Sequence, residues 1–368
     1  MLRALLLALA LPCPTLAAQG AVPATRTLKP ATARLDADFS RIIAVRELSD
    51  GRILVTDAIE KRLTVADFAT QVVTAISREG SGPGEFRAVD RLYDIGGDST
   101  LMPDLGNGRW LILRADRVAR TTAKDEPAVQ ASRTGFRGAS RTGRVMMNTL
   151  PPVTGGTRVF GRSDSTALLL VSTRNGDIDT IGRLRMPPLR MESTVDARGN
   201  PTSLNILSFP FAVGEEPLIF GDGWVAVVRL DPYRVDWRSP DGRWTRGAAL
   251  PFEVIAVNAR EREAFVARRA SATGNKPVTP PDDAWPETIP PFGTRPLLAA
   301  PDGAVLVLRN ATADHPGNRY DLVDRRGRLV ARIELPRTES IAALGARGAY
   351  VVVTDEDGLQ HIERRPWP

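Results

Sequence analysis

Six charged residues stand at the heads of recurring apolar segments: Arg41, Arg91, Arg158, Glu216, Arg295 and Glu339. Four are cations and two are anions. A guanidinium presents a planar fork of donors that fits a carboxylate or a phosphate. Arginines converging on one opening would therefore receive an anionic ligand or a peptide carboxylate, and internal pairing with Glu216 and Glu339 is the competing use for them. The set is poorly suited to calcium, which takes about six to eight oxygen ligands and would be repelled by the cations. Asp38, Asp90 and Glu215 lie nearby and would have to turn inward to build such a site. The sequence assigns no metal ligands, no cofactor and no catalytic residue. His315, in the turn TADHPGN, and His361 accompany no nucleophile motif and are expected to be exposed. A second set, Asp57, Asp104, Asp231 and Asp355 with Asn310, closes other apolar segments; Asp and Asn there are expected to brace sharp turns through their own backbone.

Composition narrows the classes further. The 368 residues include one Cys and two His, which excludes zinc clusters, haem motifs, disulfide scaffolds and thiol–histidine catalysis. Gly (31) and Pro (29) are frequent enough to argue for many short strands joined by turns rather than long helices. The net charge is +6, and all basic residues but Lys29, Lys61, Lys124 and Lys276 are arginine. These are scattered among acids, so no basic stripe for nucleic acid is expected.

Residues 1–18 read as an export signal: Arg3 is the charged start, Ala4 to Leu11 the apolar run, and Ala17 and Ala18 the small residues of a cleavage point. Eight apolar residues are too short to span a bilayer. Pro12 before Cys13 does not suit a lipoprotein signal. The expected location is the periplasm or the exterior.

The elements that must position the charged residues form a repeat. Its clearest copy, residues 40–76, holds an apolar strand, the Asp50-Gly51 hairpin turn, the strand Ile53-Leu54-Val55, an alternating third strand and a fourth. Further copies lie at 90–120, 157–184, 216–250, 295–335 and 339–364. Four-stranded antiparallel units that are apolar on both faces bury those faces by stacking in a ring, which predicts an all-β fold, a single six-bladed β-propeller spanning 19–368. The last copy ends at its third strand, and Leu28 to Leu35 is expected to supply the missing outer strand. One excursion, 258–296, interrupts the pattern. It opens as a helix over 258–270 with Asn258 as N-cap and Glu261 at the capping-box position. It continues as a Pro-rich segment that serves as a surface excursion or a cover over one mouth.

The segment SREGSGPGEF (residues 77–86) resembles the blade-linking signature of NHL-like and TolB-like six-bladed bacterial propellers, and the stretches DRRGRLVARIELP and GAYVVVTDEDGLQHIERRPW resemble the family's closing blades. The resemblance covers most of 39–366. It implies architecture rather than chemistry, and the Gly-rich segment itself is read as a tight turn between blades. The functional expectation is an exported, monomeric, non-catalytic binding or scaffolding module for a small molecule or protein partner. Its site is the channel mouth at Arg41, Arg91, Arg158, Glu216, Arg295 and Glu339. The alternatives are a calcium-dependent hydrolase of the lactonase or esterase kind, centred in the channel, and a partner subunit of an envelope complex.

Overall fold

A computed structural model describes residues 25–367 apart from 133–134, 150–152, 156–158, 163, 188–189, 196–200, 208, 274–275 and 277. Residues 1–18, expected to be an export signal, lie outside the described residues. Six four-stranded antiparallel blades form a ring. Blade 1 is Ile42–Glu47, Ile53–Asp57, Arg62–Ala66 and Val73–Ser77. Blade 2 is Tyr93–Gly96, Ser99–Asp104, Arg109–Arg114 and Arg117–Thr121. Blade 4 is Glu216–Ile219, Val225–Arg229, Arg234–Arg238 and Trp244–Thr245. Blade 5 is Phe292–Ala299, Val305–Arg309, Asn318–Val323 and Leu329–Leu335. Blade 6 takes three strands from the C-terminal end, Glu339–Gly345, Gly348–Thr354 and Gln360–Arg365, and its fourth, Ala33–Arg34, from the N-terminal end.

The continuous apolar runs explain the ring. A strand sends alternate side chains to opposite faces. In blade 1, Ile53 and Val55 pack with Tyr350 and Ile362 of blade 6, while Leu54 packs with Phe86 and Met102 on the blade 2 side. In blade 5, Val305 and Val307 join Trp237 of blade 4, and Leu306 joins Ile341 of blade 6. Each of the six seams carries its own buried cluster. The second strands, such as Ile53–Asp57 and Val225–Arg229, are covered on both faces, so no blade buries its core without both neighbours.

The expected closure is present. Ala33 and Arg34 pair antiparallel with Arg364 and Glu363. An unexpected extra strand, Thr25–Arg26, adds parallel to Leu329–Leu335 at the outside of blade 5.

Blade 3 corrects the sequence reading. Its inner strands are Phe136–Ala139 and Arg144–Asn148, and residues 157–184 supply only its outer pair, Ser165–Ser172 and Ile178–Arg185. The hairpins run on into an accessory four-stranded sheet, Val153–Gly155, Val159–Arg162, Arg190–Val195 and Pro201–Leu207. This insertion breaks the repeat spacing, and Arg141-Thr142-Gly143 stands where blades 1, 4 and 5 carry an Asp-Gly turn.

The helix is Ala259–Thr273. The Glu261 N–H donates to the Asn258 side chain (3.1 Å), the expected cap. The carboxylate does not complete the capping box. It is buried and accepts the Ala313 N–H (2.9 Å), tying the helix to the loop after Val305–Arg309. Phe265 stacks on Phe211 and Trp285, which anchors the excursion against the loop that leads into blade 4.

Candidate functional site

The loops that enter the inner strands meet at one end of the channel. Two aspartates shape them as the turn reading expects. Asp57 accepts the N–H groups of Ser40 (2.7 Å) and Arg41 (3.2 Å) with one oxygen and those of Ile59 and Glu60 with the other. In blade 2 one Asp104 oxygen accepts the N–H groups of Arg87 (3.0 Å) and Asn107 (3.3 Å), and the other accepts the Asn107 side-chain amide (2.7 Å). Both carboxylates are buried and consumed by their own turns, so they brace the mouth rather than line a pocket. The Gly-rich linker is likewise a turn: the Glu85 carboxylate accepts the Gly82 N–H (2.9 Å), Gly84 sits at φ +77°, and Phe86 plugs the seam between blades 1 and 2.

Blades 2 and 5 have two blades between them on either side, so they face each other across the axis. The inner strand of blade 5 is distorted there. Phe292 pairs with Arg309 and Leu297 with Val307, so residues 293–296 stand opposite Leu308 alone. This wide bulge carries Arg295 at φ +52°. A non-glycine residue in that region costs about 1–3 kcal/mol, and a following proline restricts it further. Asn310 pins the bulge by donating to the carbonyls of Pro290 and Phe292 (both 2.9 Å).

The bulge brings Arg295 to the opposite blade. Its guanidinium meets Asp90 at 3.2 Å, and Arg91 donates back to the carbonyls of Arg295 (3.1 Å) and Leu297 (3.4 Å). Blade 3 adds Arg137, which reaches Asn148 (2.6 Å) and Glu216 of blade 4 (3.3 Å). The mouth thus holds Arg91, Arg137 and Arg295 against Asp90 and Glu216, a net single positive charge. Arg91 is committed to main-chain carbonyls, whereas the Arg295 side chain is 56% exposed with one ionic partner.

Burial pushes the Glu216 carboxyl above its ordinary range, against the pull of Arg137, Arg295, Arg91 and a hydrogen bond from the Arg295 main chain. A folded state that holds this proton more tightly than the unfolded chain loses stability as pH rises through the raised value. The expected result is that Glu216→Gln gains melting temperature relative to wild type between pH 4 and pH 7, read from paired thermal melts. A difference that does not change with pH contradicts the buried-carboxyl account.

Of the sequence-predicted residues, Arg91, Glu216 and Arg295 converge. Arg41 is exposed and contributes its main chain to Asp57. Glu339 is taken by Arg365 in a bidentate pair at 2.6 and 3.0 Å. Arg158 lies outside the described residues, and the blade 3 position assigned to it belongs to Arg137. Asp90, one residue from Arg91, does turn inward. His315 is exposed, but His361 is buried, with Nε2 at 3.7 Å from Glu363. It occupies a strand buried between blades 6 and 1, where alternation alone did not place it. Sequence reasoning also missed Arg46, a buried arginine further along the inner strand of blade 1 that meets Asp94 (3.0 Å), Gly97 and Thr100; a charge following Ile42-Ile43-Ala44-Val45 was the available signal.

No protein-family model matches the sequence. No curated protein matches it. Among solved structures it is similar to a calcium-binding regucalcin from Agrobacterium tumefaciens (11% identity, 94% of this chain, 98% of that one, TM-score 0.38). It is also similar to a luciferin-regenerating enzyme (10%, 91% and 94%, TM-score 0.42). A third is a member of the duf4221 family from Bacteroides vulgatus (8%, 92% and 94%, TM-score 0.41). At these values the likeness carries nothing about chemistry. The six-bladed propeller rests on the strand topology. Among the described residues no helix is long and apolar enough to cross a membrane, and no three His, Cys, Asp or Glu side chains stand close enough to share a metal ion.

Proposed function

We propose that this chain is an exported, non-catalytic binding propeller that receives an anionic ligand, or a carboxylate of a protein partner, at the channel mouth. The observation that supports this most is Arg295: an exposed guanidinium, beside Arg91, on a strained bulge that the fold holds open across the axis. Strain of this kind persists where the surroundings over-determine it, and it gathers at ligand sites. Asp90 holds the fork and Arg91 holds the main chain that carries it, so little rotamer freedom is lost when a carboxylate docks. A calcium-dependent hydrolase is the weaker reading, because the inward carboxylates Asp90 and Glu216 are each engaged by arginine.

The reading is tested with labelled pentaglutamate by fluorescence polarisation. Wild type is expected to bind it, and Arg295→Glu to weaken binding about tenfold or more, the range for losing a charge-assisted hydrogen bond. Equal binding by the two proteins overturns the proposal. Chelator treatment is expected to leave both binding and melting unchanged.

A further inference from the structure

A second arginine cluster lies away from the channel, on the outer strands of blade 5 facing blade 4. It surrounds a cavity of about 120 Å³. One wall is Arg309, Arg319, Tyr320 and Asp321 with Arg332, and the roof is Phe252, Ile255 and Ile289 from the two segments at the base of the helical excursion. Those segments pair with each other through Ala256 and Thr288, and the Ile289 N–H donates to Ile255 (2.9 Å).

The cations differ in their partners. Arg309 is fixed: it stands over the rings of Tyr233 (5.1 Å) and Phe252 (5.0 Å), donates to Asp321 (2.9 Å) and donates to the Pro291 carbonyl (2.7 Å). Arg332 donates to Asp321 (3.2 Å) and to the Pro251 carbonyl (3.0 Å). Asp321 is saturated, since it also accepts the Tyr233 hydroxyl (2.9 Å). Arg319 is different. It lines the same cavity, its Nε is buried without a partner, and no carboxylate of the described residues pairs with it. Burial and the repulsion of Arg309 and Arg332 oppose its charge, and Glu334 and Asp321 offset this only through space. Of the three carboxylates that line the cavity only Asp321 is buried; Glu253 and Glu334, the cross-strand neighbour of Arg319, are exposed at the rim, and the three guanidiniums are partly buried.

We infer that this cavity is a binding site for a compact dianionic oxyanion of the phosphate class, with Arg319 as the residue that its arrival satisfies. A buried charge is retained at low cost only when paired, and the cavity, room for roughly four water molecules at about 30 Å³ each, leaves space for such an ion beside the open guanidinium. Thr312 lines the same space, and its hydroxyl, which accepts the His315 N–H (3.1 Å), keeps its own hydrogen to donate.

The test uses inorganic phosphate with the full chain, by calorimetry and thermal melts. Wild type is expected to bind one phosphate per chain at this site and to melt higher with it. Arg319→Met, which keeps the apolar stem and removes the charge, is expected to lose that heat and that shift while melting no lower than wild type without phosphate. Phosphoserine in place of phosphate separates the sources: tighter binding than phosphate assigns the cavity to a phosphate carried on a larger molecule, and weaker binding assigns it to the free ion. Phosphate effects that are absent from wild type, or identical in wild type and Arg319→Met, overturn the inference.

Discussion

A chain lacking residues 25–36 is expected to melt about 10 °C or more below the full chain. The segment closes the ring through several bonds to blade 6: Thr32 and Leu35 donate to the carbonyls of Arg364 (2.8 Å) and Ile362 (3.0 Å), and Ala33–Arg34 completes the sheet. Blade 1 grips it from the other side, because Gln71 donates to the Arg34 carbonyl and accepts the Asp36 N–H, both at 3.0 Å. Leu35 is fully buried among Val45, Ile53, Tyr350 and Ile362. A buried leucine truncated to alanine costs about 2–5 kcal/mol. The deletion also exposes the edge of Gln360–Arg365 and uncovers that seam, so its cost exceeds the single substitution. With about 2–4 °C lost per kcal/mol in mid-sized domains, the drop reaches the stated size. Differential scanning calorimetry of the deletion and of Leu35→Ala provides the check. Melting of the deleted chain within a degree or two of the full chain would mean that the ring does not depend on this strand.

The second large effect is expected at Asp321. Its two oxygens receive the Tyr233 hydroxyl, Arg309 and Arg332, and the residue is 1% exposed. Breaking a buried ion pair from one side leaves the other charge unpaired and costs about 3–5 kcal/mol. Here two guanidiniums are left. Asp321→Asn keeps the shape and the hydroxyl contact while removing the charge, and it is expected to fall in that range by urea denaturation at neutral pH. A cost below about 1 kcal/mol, as for exposed pairs, would show that the cluster is open to water.

The parts of the molecule that were legible in the sequence are those with a local physical cause. Ile53-Leu54-Val55 is apolar on both faces, and only a stacked blade buries both. Asp50-Gly51 fixes a hairpin, and Gly51 is at φ +95° as the tight turn requires. Asp57 and Asp104 were readable as turn braces. The early end of the sixth repeat pointed to an N-terminal closing strand because an unpaired edge must be covered.

The illegible parts depend on tertiary placement. Phe136–Ala139 and Arg144–Asn148 are short, and the accessory sheet separates them from their partners in sequence, so the blade 3 arginine was assigned to position 158 instead of 137. The bulge at 293–296 has no Asn or Gly at the strained position that would announce a positive φ. Within Asn318–Val323 the run Arg319-Tyr320-Asp321-Leu322 alternates polar and apolar residues as a half-exposed strand does. Nothing local says that Phe252, Pro251 and Ile289 come to cover Arg319 and Asp321 and turn a solvent face into a cavity.

The most direct test of an anion-receiving channel mouth is to see where an oxyanion settles. Crystals of the wild-type protein soaked in selenate and measured at the selenium edge should give an anomalous peak on the channel axis within hydrogen-bonding distance of the Arg295 guanidinium, and that peak should vanish in Arg295→Glu. Selenate bound elsewhere with an empty mouth, or a mouth peak that survives the charge reversal, would contradict the account.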